Sequence, residues 1–146
     1  MCIRDRYWVP DTEVRNRVGD AWDQQWFISW KKVTSPTNER TLVPAVLPMA
    51  GVADSLYLLF PKPSQLKLVA GLIGNLNALV LDYIAKQKVG GVNLNLFYLQ
   101  QFPVLPPRAY TASILASIAP RVLELVYTAW DTVSYTHLTL PTSDLV

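Results

Sequence analysis

The run from Leu66 to Ala85 constrains this chain more than any other segment. It is apolar enough, and by length long enough, to cross a bilayer, or else it must be buried in a protein core. It also carries Lys67, Asn75, Asn77 and Asp82. Ionisable groups near a bilayer centre cost about 3 kcal/mol each, so the run reads as the core helix of a soluble domain and no membrane is expected. We expect one helix over residues 64 to 89, with Ser64 as N-cap. Its apolar stripe is Val69, Leu72, Ile73, Leu76, Val80 and Tyr83, at spacings of three and four. Gly71, Gly74, Ala78 and Ala85 form a second face where another element can approach closely. Lys86 and Lys88 suit the negative end of the helix dipole, and Gly90-Gly91 reads as the stop.

What flanks this helix supplies sheet. Trp26–Trp30 alternates as a strand, with Trp26, Ile28 and Trp30 on one face, and runs into Lys31-Lys32. Ser35-Pro36-Thr37-Asn38 marks a turn. Thr41–Leu47 holds Pro44 and is closed by Pro48, so it belongs at an edge or a bulge. Ser55–Phe60 is a third short strand. Before them, Tyr7–Val18 is mixed, with a turn at Pro10-Asp11. After the helix, Val92–Leu99 reads as a strand with Asn93 and Asn95 on one face and Val92, Leu94 and Leu96 on the other. Thr111 caps a helix to Ala119, and Pro120 starts a second that buries Val122, Leu125, Val126, Ala129 and Trp130. The expected class is α+β: a small bent sheet against a long central helix and C-terminal helices.

Catalytic chemistry finds little purchase. The single cysteine, Cys2, and the single histidine, His137, lie in end segments with no pattern relation to the rest, which excludes a disulfide framework and makes a His-rich metal centre unexpected. There is no phosphate-binding loop and no Ser-His-Asp set, so no catalytic, cofactor-binding or metal residues are assigned. The formal charge of +2 is too weak to announce a nucleic-acid partner by itself. Local chemistry favours recognition more. Lys31, Lys32, Arg40, Lys86 and Lys88 are available for phosphates. Asn38, Gln87, Asn93, Asn95, Gln100 and Gln101 carry the donor–acceptor pairs that read base edges, adenine above all. Each has a plainer alternative: the lysine pair a solvated edge, the two Asn turn caps, and Trp26 and Trp30 core packing rather than base stacking. Periodicity and spacing stop at an α+β domain with amide-rich, mildly basic loops.

Three stretches go further together. They are Asn38–Pro48 with Gly51–Ser55, Asp82–Gly91 running through Asn93–Phe97 to Gln101–Pro107, and Pro120–Asp131. In this order they resemble the C-terminal DNA-recognition region of large adenine-specific DNA methyltransferases, the type IIG restriction-modification enzymes and their phage-defence relatives. The Pro103–Pro107 segment is also similar to the end of target recognition domains in type I specificity subunits. The resemblance implies a division of labour. An N-terminal Rossmann-like domain binds S-adenosylmethionine, and its Asn-Pro-Pro-aromatic motif holds the flipped adenine. The C-terminal region chooses the DNA sequence. This chain has neither that motif nor a cofactor loop. It therefore looks like a partial target recognition domain, without cofactor of its own, whose parent uses S-adenosylmethionine, with Mg where it also cuts DNA. Its expected partners are double-stranded DNA and the parent's methyltransferase domain, in a prokaryotic cytoplasm. The expected DNA-binding residues are Lys31, Lys32, Asn38, Arg40, Lys86, Gln87, Lys88, Asn93 and Asn95. One departure is that Lys31–Thr37 stands where family members carry an Arg-rich run. A scaffold segment of the same defence system, without DNA contact, is the other class. Residues 1–6 and 133–146 resemble translated sequencing-adapter sequence, which leaves 7–132 as the expected domain.

Overall fold

A computed structural model describes residues 9–62 and 66–126 of the chain. Ser64, Ala129, Trp130, Cys2 and His137 lie outside the described residues. The fold is α+β. Helix α1 (Asp11–Val18) precedes three strands, β1 (Trp26–Lys31), β2 (Pro44–Pro48) and β3 (Leu56–Leu59). Helices α2 (Leu66–Asn77), α3 (Leu79–Lys88), α4 (Leu96–Leu99) and α5 (Ala112–Val126) follow.

The mixed segment before the sheet is a helix, α1, rather than a turn. Pro10 stands at its N-cap, Asp11 and Glu13 occupy the first turn, and Arg15 and Arg17 the last, all in the order the helix dipole favours. Gly19 ends it at φ +53, a left-handed conformation that glycine adopts without a Cβ penalty.

The strands pair antiparallel in the order β2-β1-β3. β1 is the central strand and both of its faces are covered, so Phe27 and Ser29 are as enclosed as Trp26, Ile28 and Trp30. The buried Ser29 hydroxyl donates to Ala45 O. Pro44 and Pro48 sit at the two ends of β2, an edge strand, where their missing N–H groups break no central ladder.

The expected single helix over 64–89 is two. α2 and α3 meet at Ala78, whose backbone is extended (φ −63, ψ 134), with a 56° bend. Polar groups from distant segments satisfy the backbone and side chains at the break. Arg40 Nη2 donates to Asn77 O, the amide of Leu105 donates to Asn75 Oδ1, and Asn77 Nδ2 bonds back to Ile73 O. The break changes the helical phase. Val69, Ile73 and Leu76 of the expected stripe are buried and Leu72 half-buried, but Val80 and Tyr83 are 74% and 65% exposed. Leu81, Asp82 and Ala85 point inward instead. No single helix among the described residues is long and apolar enough to cross a membrane. α3 runs out into extended backbone at Val89, and neither Gly90 nor Gly91 takes a positive φ, so the glycine pair is not a left-handed cap.

Two further expectations change. Residues 92–99 form no strand: Asn93 makes one isolated bridge with Val33, and Asn95 O accepts from Tyr98 N and Leu99 N to start α4. Leu94 is fully buried while Val92 and Leu96 are exposed. α5 runs unbroken through Pro120. The carbonyl that Pro120 leaves without its helical donor belongs to the exposed Ala116, on the solvent side of the helix. Thr111 caps this helix as expected, its Oγ1 accepting from Ile114 N, and Val122 and Val126 are buried, but Leu125 is exposed.

The core has two clusters. Trp22, Trp26, Phe27, Ile28, Val69, Ile73 and Val122 belong to the first, where the sheet meets α2 and α5. Trp30, Leu42, Leu76, Leu81, Val89, Leu94 and Phe102 belong to the second. The small face of α2 does bring its neighbours close: a Cβ on Gly71 would lie 3.0 Å from the Tyr110 ring, and one on Gly74 would lie 3.0 Å from Ile118 Cγ2. The Tyr110 hydroxyl donates to Gly71 O, and burial raises its pKa above the usual 10.0. The folded state therefore holds this proton more tightly than the unfolded chain. The resulting stability is complete below pH 10 and is lost as the pH rises through the folded value. Tyr110→Phe is expected to lower stability by about 1 kcal/mol at neutral pH and to flatten the alkaline loss, read as denaturant midpoints across the two pH ranges.

Candidate nucleic-acid interface

The connection from β1 to β2, residues 32–43, is held in place along its whole length. At its neck the two threonines cross: Thr34 Oγ1 donates to Thr41 O at 2.8 Å, and Thr41 Oγ1 donates to Ser35 O at 3.1 Å. Both threonines are buried, so these hydroxyls have no competing water. Ser35 then organises the turn expected there, accepting from Asn38 N on its carbonyl and from Thr37 N on its hydroxyl. Thr37, Asn38 and Glu39 stand exposed at the tip.

The return limb is tied to the broken helix. Asp82 Oδ1 accepts from Thr41 N at 2.9 Å and from Leu42 N at 2.7 Å. Lys86 Nζ, one turn further along α3, donates to Glu39 O at 2.7 Å. Arg40 reaches Asn77 O, and its buried Nε has no partner. Asp82, at first no more than a charge that a membrane span would not carry, is thus the buried anchor of the loop. The only local signal was a lone acid on an apolar helix face.

The outgoing limb meets the segment after α3. Leu94 N donates to Lys32 O and Thr34 N to Val92 O, which places Asn93 beside Val33. Lys32 Nζ pairs with Asp54 Oδ2 at 2.7 Å and lies 5.6 Å from the Tyr57 ring centroid. The hydrogen bond to Asp54 is the main reason its pKa stands above 10.5. Tyr57 stacks on Trp30, and its hydroxyl donates to Asn95 Oδ1. Trp30 Nε1 donates to Leu94 O.

The nine expected binding residues therefore gather around one loop and the two segments it touches, but they divide by engagement. Lys32, Arg40, Lys86 and Asn95 spend their polar groups inside the protein. Lys31, Asn38, Gln87 and Lys88 are exposed, and Asn93 is half-buried. Of the other amides, Gln100 is exposed and Gln101 bonds back to Phe97 O. Trp26 and Trp30 are core residues and offer no face to a base. Of the five cations Lys31, Lys32, Arg40, Lys86 and Lys88, Lys32 pairs with a carboxylate, that of Asp54, while Arg40 and Lys86 bond to backbone carbonyls. A cavity of about 290 Å³ between α1, Phe27 and Leu58 contains none of these residues. Among the described residues, no three His, Cys, Asp or Glu side chains gather as metal ligands would. No protein-family model matches the chain, nor does any curated protein or solved structure.

Proposed function

We propose that the chain is a sequence-specific double-stranded DNA recognition segment of an adenine-specific DNA methyltransferase in a restriction-modification or phage-defence system. The observation that carries this reading is the braced β1–β2 loop, whose tip presents an exposed Asn38 and which is tied to α3, the helix that carries the exposed Gln87 and Lys88. On this reading Lys31 and Lys88 contact phosphates and fix the register. Asn38 and Gln87 offer the paired donor and acceptor that match the major-groove edge of adenine. S-adenosylmethionine, and Mg where the parent also cuts DNA, belong to the parent's other domain.

Salt dependence tests the proposal. Binding of the full 146-residue chain to random duplex DNA, followed by fluorescence anisotropy over a salt series, is expected to weaken linearly on a log–log plot. Each phosphate contact contributes about 0.9 to the slope, so Lys31→Ala with Lys88→Ala should reduce it by about 1.8 without altering the circular dichroism spectrum. A flat salt response in the unaltered chain removes the reading. The second reading, a scaffold segment that packs on another protein, is favoured by one observation. Leu79, Val80 and Tyr83 make an exposed face on α3.

A further inference from the structure

We infer that Asp82 is a positioning residue for sequence discrimination, holding Thr37–Glu39 in the one arrangement that reads bases; the inference rests on the DNA-recognition reading. Its carboxylate lies in the first turn of α3, where the helix dipole favours negative charge. A single oxygen, Oδ1, takes the amides of two adjacent residues, Thr41 and Leu42. Both residues are fully buried, and such charge-assisted bonds are short and directional. Leu42 is also part of the second core cluster, so the anchor joins the loop to packed side chains rather than to solvent-exposed ones. Lys86 of α3, bonded to Glu39 O, and Arg40 of the loop, bonded to Asn77 O, add two tethers between the same limb and the same helix pair. The loop tip has no side chain in the core and takes its position from these bonds.

Discrimination and general attraction depend on this bracing differently. Phosphate attraction is long-ranged and tolerates a moving lysine. A two-bond match between an amide and an adenine edge needs both bonds aligned together, and a loose loop must be ordered at the moment of binding. Releasing the anchor therefore lowers specificity while leaving the sequence-independent component in place.

The test starts with selection of preferred sequences from a randomised duplex pool by the full chain. Affinity for a selected duplex is then compared with affinity for its scrambled counterpart. Asp82→Ala is expected to reduce that ratio at least tenfold, with the affinity for scrambled DNA and its salt slope unchanged. Asp82→Asn restores the ratio, because its amide oxygen accepts the same two N–H bonds. A folded Asp82→Ala chain with the original ratio overturns the inference, as does a folded Asp82→Asn chain that stays indiscriminate. Lys86→Met removes a surface tether and serves if Asp82→Ala fails to fold: a reduced ratio supports the inference and an unchanged one overturns it. Absence of any duplex binding by the unaltered chain is a different result, which removes the DNA reading and this inference with it.

Discussion

Trp30→Ala is expected to destabilise the protein by about 3–5 kcal/mol, the range for deleting a large buried aromatic side chain. Trp30 is 3% exposed and sits where the sheet meets the second cluster, packed with Leu42, Leu76, Leu81 and Leu94. Three losses combine. The indole leaves a cavity that its neighbours can only partly fill, the stacking on Tyr57 at 5.0 Å disappears, and Leu94 O loses its donor. A domain of ordinary stability has about 5–15 kcal/mol in total, so the variant should be partly unfolded at moderate urea. The measurement is the urea midpoint, with an unchanged slope showing that the change lies in stability. Trp30→Phe keeps a ring and loses the N–H, so it should recover more than half of the loss. Equal losses in the two variants would mean that the hydrogen bond dominates over packing.

Gly74→Leu is expected to cost about 1–3 kcal/mol through overpacking between α2 and α5. A Cβ at this position already lies 3.0 Å from Ile118 Cγ2 and 3.2 Å from Val122 Cγ2. Val122 is buried on α5 and cannot swing into solvent, so a leucine forces the two helices apart. Gly74→Ala is the informative control. Its methyl asks the neighbours to give only a few tenths of an ångström, and replacing glycine inside a helix returns up to about 1 kcal/mol. The alanine variant should therefore stay near the starting stability while the leucine variant falls. Thermal midpoints of the pair decide this, and a stable Gly74→Leu chain would show that the helix interface is slack.

These two sites were readable from the sequence for different reasons. The alternation Trp26–Trp30 and the prolines at Pro44 and Pro48 are local signals, and the strands fell close to where those signals put them. The close approach at Gly71 and Gly74 follows from two small residues on one helical face. The break at Ala78 was not readable, because its cause is distant in sequence. Arg40 and Leu105 supply bonds to the Asn75–Asn77 turn, and no window around that turn contains them. Once the helix breaks, its periodicity restarts, and the stripe that counted Val80 and Tyr83 as core runs out of phase. Val92–Leu99 failed through ambiguity of a short apolar run, which fits one helical turn after Asn95 as well as a strand. Pro120 reads as a helix start by preference, yet it is tolerated where its missing N–H faces a solvent-exposed turn. For the candidate site, residue type identified the cations and amides. It could not separate those that bond inward, such as Arg40 and Lys86, from those that stand exposed, such as Lys31 and Asn38. That distinction depends on which carbonyls the fold brings within reach.

The crossed threonines make the β1–β2 loop an exchangeable part. Thr34 and Thr41 fasten its ends to each other, and Asp82 fastens it to the helix pair, so the foundation is independent of what lies between. Residues 36–39 contribute no side chain to either core cluster. Their replacement or lengthening costs little in closure entropy, about 0.6 kcal/mol for each doubling of loop length. Such a tip can drift in sequence, or be grafted from a relative, while the scaffold beneath it stays fixed. On the proposed DNA-recognition reading, a lineage that changes its target sequence gains from this separation, because novelty at the tip does not jeopardise folding.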